Sequence, residues 1–138
     1  MPVYVAKITI PANTPSSNPV ETTVTVEGDV ITKIIVLIPA GVRALAGISI
    51  FYGIKQYFPR EEDTWITGDN ESIPFDVYIS LPESPCQLKI KGYNDDTKYQ
   101  HTFYLRLVTG WESEIFPWKM LYKAMSMLIK LLRRIGIR

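Results

Sequence analysis

Two-residue alternation, cut at short intervals by proline, glycine and Asn/Asp turn signals, most limits what this chain can fold into. Side chains on a strand point to opposite faces in turn, so this pattern gives each segment one apolar face. Such segments run from Val3 to Ile10, Val20 to Val26, Val30 to Ile38, Leu45 to Gly53, Ile73 to Leu81, Cys86 to Tyr93 and His101 to Val108. Gln56–Phe58 reads as a continuation of the fourth after a kink. Pro11, Pro39 and Pro82 close three of them, because proline has no N–H to give to a ladder. The spacing predicts an all-β body, an eight-stranded antiparallel sandwich with a jelly roll as its leading topology.

The segment Val30–Ile38 is apolar on both faces from Ile34 to Ile38, which marks a central or doubly covered strand. Glu27-Gly28-Asp29 makes a tight turn into it. Asn94-Asp95-Asp96-Thr97-Lys98 reads as a hairpin tip joining the last two strands. Pro11 to Pro19 holds three prolines in nine residues, a stiff connection that serves as loop or extended arm.

Alternation stops near Gly110, and charge changes with it. Residues 1–111 hold nine Lys/Arg against twelve Asp/Glu, a net of −3, whereas residues 112–138 hold six against two, a net of +4. Hence the chain divides into a sandwich at 1–110 and a hinge with a basic amphipathic helix at 111–138. A mildly acidic body gives nucleic acid no basic face to bind. Pro117 suits a first helical turn, Ser113 or Glu114 can cap it, and Gly136 ends it.

At 100° per residue, Lys119, Lys123, Ser126, Lys130, Arg133 and Arg134 fall within an arc of roughly 100°. Apolar side chains fill the roughly 220° that remain. Trp118, Leu121, Met125, Leu128, Leu132 and Ile135 form the expected docking face, and Lys119, Lys123, Lys130, Arg133 and Arg134 its basic stripe. The lysines interrupt the ~20-residue apolar run that a membrane span needs. The polar positions repeat at nearly a heptad, which favours association of several copies with the stripe kept wet.

No constellation points to catalysis. His101 is the only histidine and begins a strand, so histidine-rich metal sites and Ser–His arrangements are excluded unless it acts alone. Cys86 is the only cysteine, which excludes an intrachain disulfide and reads as a small semi-buried apolar residue. Asp69, Asn70 and Glu71 lack the alternate-position oxygens of a calcium loop and read as a solvated turn, with a weak cation site as the sharper alternative. No phosphate-cradling glycine loop occurs, and no cofactor is expected. Tyr52, Tyr57, Trp65, Tyr78, Tyr93, Tyr99 and Tyr104 are the aromatics a sugar-binding face would need, though strand aromatics more often pair across strands.

The wording of the turns carries a resemblance. Ile10-Pro-Ala-Asn-Thr-Pro15, Asn18-Pro-Val-Glu-Thr-Thr-Val24, Leu37-Ile-Pro-Ala-Gly41, Trp65-Ile-Thr-Gly-Asp-Asn-Glu71 and Leu88-Lys-Ile-Lys-Gly-Tyr-Asn-Asp-Asp96 resemble small β-sandwich proteins of icosahedral-headed viruses of bacteria and archaea. The resemblance spans roughly residues 3–108 and does not include the basic tail. It implies a virion structural role, as capsid decoration, cement or minor capsid protein, typically oligomeric. Its partners would be a major capsid protein or other virion proteins.

These readings together predict a non-enzymatic virion protein, made in a host cytoplasm since Met1–Lys7 lacks the start of a signal peptide. It is expected to form a homo-oligomer, a trimer, and to dock through the helix. One rival is a carbohydrate- or receptor-binding module. Another is a membrane-associated protein using the helix as an interfacial anchor on anionic lipid.

Overall fold

Nested pairing organises the body. The computed structural model describes residues 2–115 and 117–136, excluding the side chains at 114, 115, 117, 119 and 120. Nine strands occur among them: β1 (Val3–Ile10), β2 (Val20–Val26), β3 (Val30–Ile38), β4 (Ala46–Tyr52), β5 (Lys55–Phe58), β6 (Ile66–Thr67), β7 (Glu71–Ser80), β8 (Cys86–Asn94) and β9 (His101–Gly110). Two helices follow, α1 (Glu112–Ile115) and α2 (Pro117–Arg134). First pairs with last and so inward: β1 with β9, β2 with β8, β3 with β7, β4 with β5 and β6, all antiparallel.

That long hairpin is then wrapped on itself, because β9 also pairs with β3 and β8 with β4. The result is two sheets, β1-β9-β3-β7 and β2-β8-β4-β5, with β6 sharing β4 with β5. Counting β5 and β6 as one interrupted strand gives the eight-stranded jelly roll expected from the spacing.

Three connections differ from the sequence expectation. Gln56–Phe58 does not continue β4; the chain reverses at Gly53-Ile54 and β5 pairs back on β4, with Tyr52 opposite Lys55. Gly53 has φ +59°, which suits a two-residue hairpin turn. Asn94–Lys98 does not join a hairpin, since β8 and β9 belong to different sheets. Glu27–Asp29 likewise crosses between sheets, from β2 to β3. Turn residues report a change of direction, not which strand the next one pairs with.

The core lies between the sheets. Ile8 and Ile10, Ile34 and Val36, and Phe103, Leu105 and Leu107 pack with Ile48, Ile50, Leu88 and Ile90. These side chains are buried, at roughly 1.5–3 kcal/mol gross each. The sheets approach closely at Gly92, where an added Cβ would stand 2.5 Å from Ile10 Cδ1. β3 is central, and its second apolar set, Ile35 and Leu37, is half-buried on the outer face. A bulge between Ile31 and Lys33 shifts its register against both neighbours, so Val30 and Ile31 are buried in succession. Pro74 sits within β7, which tolerates it as the edge of its sheet.

The two ends of the sandwich are unlike. At one end the loops are tied together. Thr14 and Asn94 exchange backbone bonds at 2.9 and 2.8 Å, and Asn13 N donates to Asp96 O at 2.9 Å. The Pro11–Pro19 segment is thus a clamped loop rather than an extended arm. At the other end Val3, Val30 and Gly110 come together, and the helices leave from there.

Candidate assembly surface

α2 follows the short α1 at the end of β9, and the root of this pair is fixed by residues far away in sequence. Glu112 N donates to Asp29 Oδ2 at 3.1 Å, so the cap of α1 comes from the β2–β3 loop. Ser113 and Glu114, the expected caps, lie inside α1 instead. Tyr78 on β7 donates its hydroxyl to Glu112 Oε1 at 2.8 Å. The carboxylate raises the tyrosine's pKa, first through that hydrogen bond and then through burial and charge. Asp29 N also donates to Gly110 O at 2.9 Å, pinning the last residue of β9. Three groups therefore hold the point of departure, and local sequence marks none of them as a partner.

Beyond that root the helix projects. Among the described residues its main packing is with α1, and no strand packs extensively against it. Of the expected docking face, Trp118 is 67% exposed, Leu121 62% and Leu128 55%, with Met125 and Ile135 similar. Leu132 is half-buried. Tyr122, Met127, Ile129 and Leu131 outside that face are exposed as well. Lys123, Lys130, Arg133 and Arg134 are exposed on the polar side, while the side chain of Lys119 lies outside the described residues. Among the described residues, the lining of two shallow grooves here comes from α2, so each follows the surface of one helix.

The helix ends as the sequence indicates, at Gly136 with φ +80° and its N–H on Arg133 O at 3.2 Å. No described helix is long and apolar enough to cross a membrane. In proteins most helical stability comes from packing an apolar face, and α2 leaves most of its described apolar side chains exposed.

Asp96, His101, Asn94 and Cys86 lie buried within the sandwich. Asp96 Oδ2 meets His101 Nε2 at 2.9 Å with both side chains buried. Asp96 Oδ1 accepts from the backbone of Lys98 and Tyr99. Those bonds, Lys98 first and His101 next, hold the Asp96 carboxyl below its usual range. Asn94 beside it donates to Ile10 O and Tyr99 O and accepts from Asp96 N. The Cys86 thiol is buried and pushed up, chiefly by desolvation, which leaves little reactive thiolate.

Asp69 uses one oxygen to hold Gly41 N and Arg43 N, at 2.9 and 3.1 Å, fastening two loops at the clamped end. No group of three or more metal-ligating side chains occurs among the described residues.

The aromatics do not form one platform. Tyr52 stacks on Tyr57 and Trp65 packs edge-on to Tyr93. Tyr104 and Tyr78 are on the outer face of one sheet, but Tyr104 aligns through Leu37 with Ser72, six residues along β7 from Tyr78. At ~3.4 Å per residue that is about 20 Å. A separate open cleft between the edge strands β5 and β7 is lined by Lys55, Tyr57, Arg60, Tyr78 and Ser80.

No protein-family model matches the chain, and no curated protein matches it. Among solved structures, one described as "Bacillus endospore appendages form a novel family of disulfide-linked pili" aligns with 78% of this chain and 88% of its own. The identity is 10% and the TM-score 0.25, too low to bear on fold or function.

Proposed function

We propose that the chain is a non-enzymatic structural subunit of a virion, a decoration, cement or minor capsid protein, that assembles through its sandwich and docks by α2. The observation that carries this reading is the unburied apolar helix held at a fixed point on a jelly-roll body. Jelly rolls are an architecture of capsid proteins, though also of lectins and cupins. The clamped end and the well-filled core suit a rigid block that is positioned rather than one that opens. Antibodies raised against residues 1–110 should label the surface of particles purified from the source. Label confined to cytoplasm or membrane, with bare particles, would remove the virion assignment.

The cleft between β5 and β7 supports a second reading, a glycan- or receptor-binding module, since two cations beside two tyrosines suit an acidic sugar. Glycan-array binding that is lost in Arg60→Ala and Tyr57→Ala would favour it over the first.

A further inference from the structure

We infer that α2 is covered by copies of itself, in a parallel ring of four or more helices. The inference rests on the assembly reading and names its partner. Trp118, Leu121, Met125, Leu128, Leu132 and Ile135 follow one another at intervals of three, four, three, four and three residues. That is the a/d spacing of a coiled-coil seam, and it continues along the whole helix. Lys119, Lys123, Ser126, Lys130, Arg133 and Arg134 then occupy only b, c and f positions, which face away from a seam.

The flanking e and g positions decide the number of copies. In small coiled coils they carry charges that pair across the rim. Here they are Tyr122 and Ile129, and Ala124 and Leu131, all exposed in the single chain. One neighbour covers about 100° of a helix, and two neighbours in a three-membered ring cover about 160°. A ring of four covers about 190° and one of five about 210°. The apolar arc of α2 spans roughly 220°, so a dimer or trimer leaves Tyr122 and Leu131 in water, whereas a ring of four or five covers both and leaves Met127, about 130° from the seam centre, at its outer edge. Tyr122 and Leu131 lie about 90° to either side of the seam centre, beyond what a trimer reaches.

Orientation and charge are consistent with this arrangement. Each α2 is tethered at its N-terminal end to the same end of its own sandwich, so ring symmetry places the helices parallel with their bodies to one side. α2 carries no acidic residue, so the stripe forms a basic collar outside the ring. The collar's self-repulsion is screened by salt. Salt therefore strengthens the ring, the opposite of its effect on binding to anionic lipid.

The test is native mass spectrometry and light scattering of the full chain, from about 0.05 M to about 0.5 M salt. The expected mass is at least four times the 15.7 kDa of one chain, held or increased as salt rises. Tyr122→Glu and Leu131→Glu should each reduce it at least twofold, while Lys123→Glu keeps it. The thermal transition of the body monitors folding in every variant. Two or three copies, or Glu at 122 and 131 without effect, would overturn the ring. So would a monomer taken up by vesicles containing phosphatidylserine. A chain that is monomeric yet labels purified particles would sink the ring and leave the virion reading standing.

Discussion

Asp96 and His101 meet at 2.9 Å beneath the turn that carries the chain from one sheet to the other. The carboxylate also holds Lys98 N and Tyr99 N, and its neighbour Asn94 bonds Ile10 O, so four segments converge on one buried polar knot. Polar groups at such depth are stabilising only when satisfied, and here the partners are supplied by β1, β8, β9 and the turn itself.

The sign of the resulting pH dependence follows from Asp96. Its carboxyl is held below the ordinary aspartate range of about 3.9, so it contributes stability present above that range. That stability is lost as pH falls through the lower folded value. Chemical denaturation of the native chain should show a stability loss on acidification below about pH 4. In Asp96→Asn the loss should be smaller, with lower stability at neutral pH; an unchanged acid limb would show that another carboxylate governs it.

Phe103 is fully buried between the sheets, and Gly92 lies against Ile10. Phe103→Ala should lower unfolding free energy by about 3–5 kcal/mol through lost burial and a cavity. Gly92→Val should cost about 1–3 kcal/mol by forcing Ile10 aside. Urea titration measures both. A cost near zero at Gly92 would mean the sheets can separate slightly there.

Asp69 accepts from two exposed backbone donors, Gly41 N and Arg43 N. Asp69→Ala should cost about 1 kcal/mol. Millimolar calcium should leave the melting temperature of the native chain unchanged. A rise of several degrees that disappears in Asp69→Ala would restore the cation site.

Tyr78 and Asp29 position the root of α2. Tyr78→Phe and Asp29→Ala should each leave the body's melting temperature within about 2–3 °C while weakening assembly, because the sandwich core contains neither side chain. Concentration-dependent sedimentation reads the second effect. Unaltered assembly in both variants would mean that the helix needs no fixed direction.

How much of this is legible in sequence depends on how local the cause is. Alternation along Val3–Ile10 or His101–Val108 is written residue by residue, so strand positions and inward faces can be read. The same logic places Tyr78 and Tyr104 outward, and both are about half exposed. The helix, its stripe and its stop at Gly136 obey a 3.6-residue period and are equally readable. Pairing is not. Asn94–Lys98 carries hairpin chemistry, yet β9 leaves β8 and pairs along its two edges with β1 and β3 in the other sheet.

The knot of Asp96 and His101 escapes a sequence reading for a related reason. Hairpin-tip chemistry accounts for the carboxylate's bonds to its own turn, but burial of the pair depends on Thr14 and Ile10, some eighty residues earlier. The cap at Glu112 needs Asp29, at the same remove. No local signal marks such pairs.

On the proposed reading α2 serves association and is not part of the body's core. Light scattering and circular dichroism on residues 1–138 and 1–110, at equal concentration, separate the two roles. The expected result is a cooperative β-rich body of one-chain mass for 1–110 and a multiple of 15.7 kDa for the full chain. Loss of the β signal and of cooperative melting in 1–110 would contradict the claim, placing the helix among the elements that hold the sandwich together.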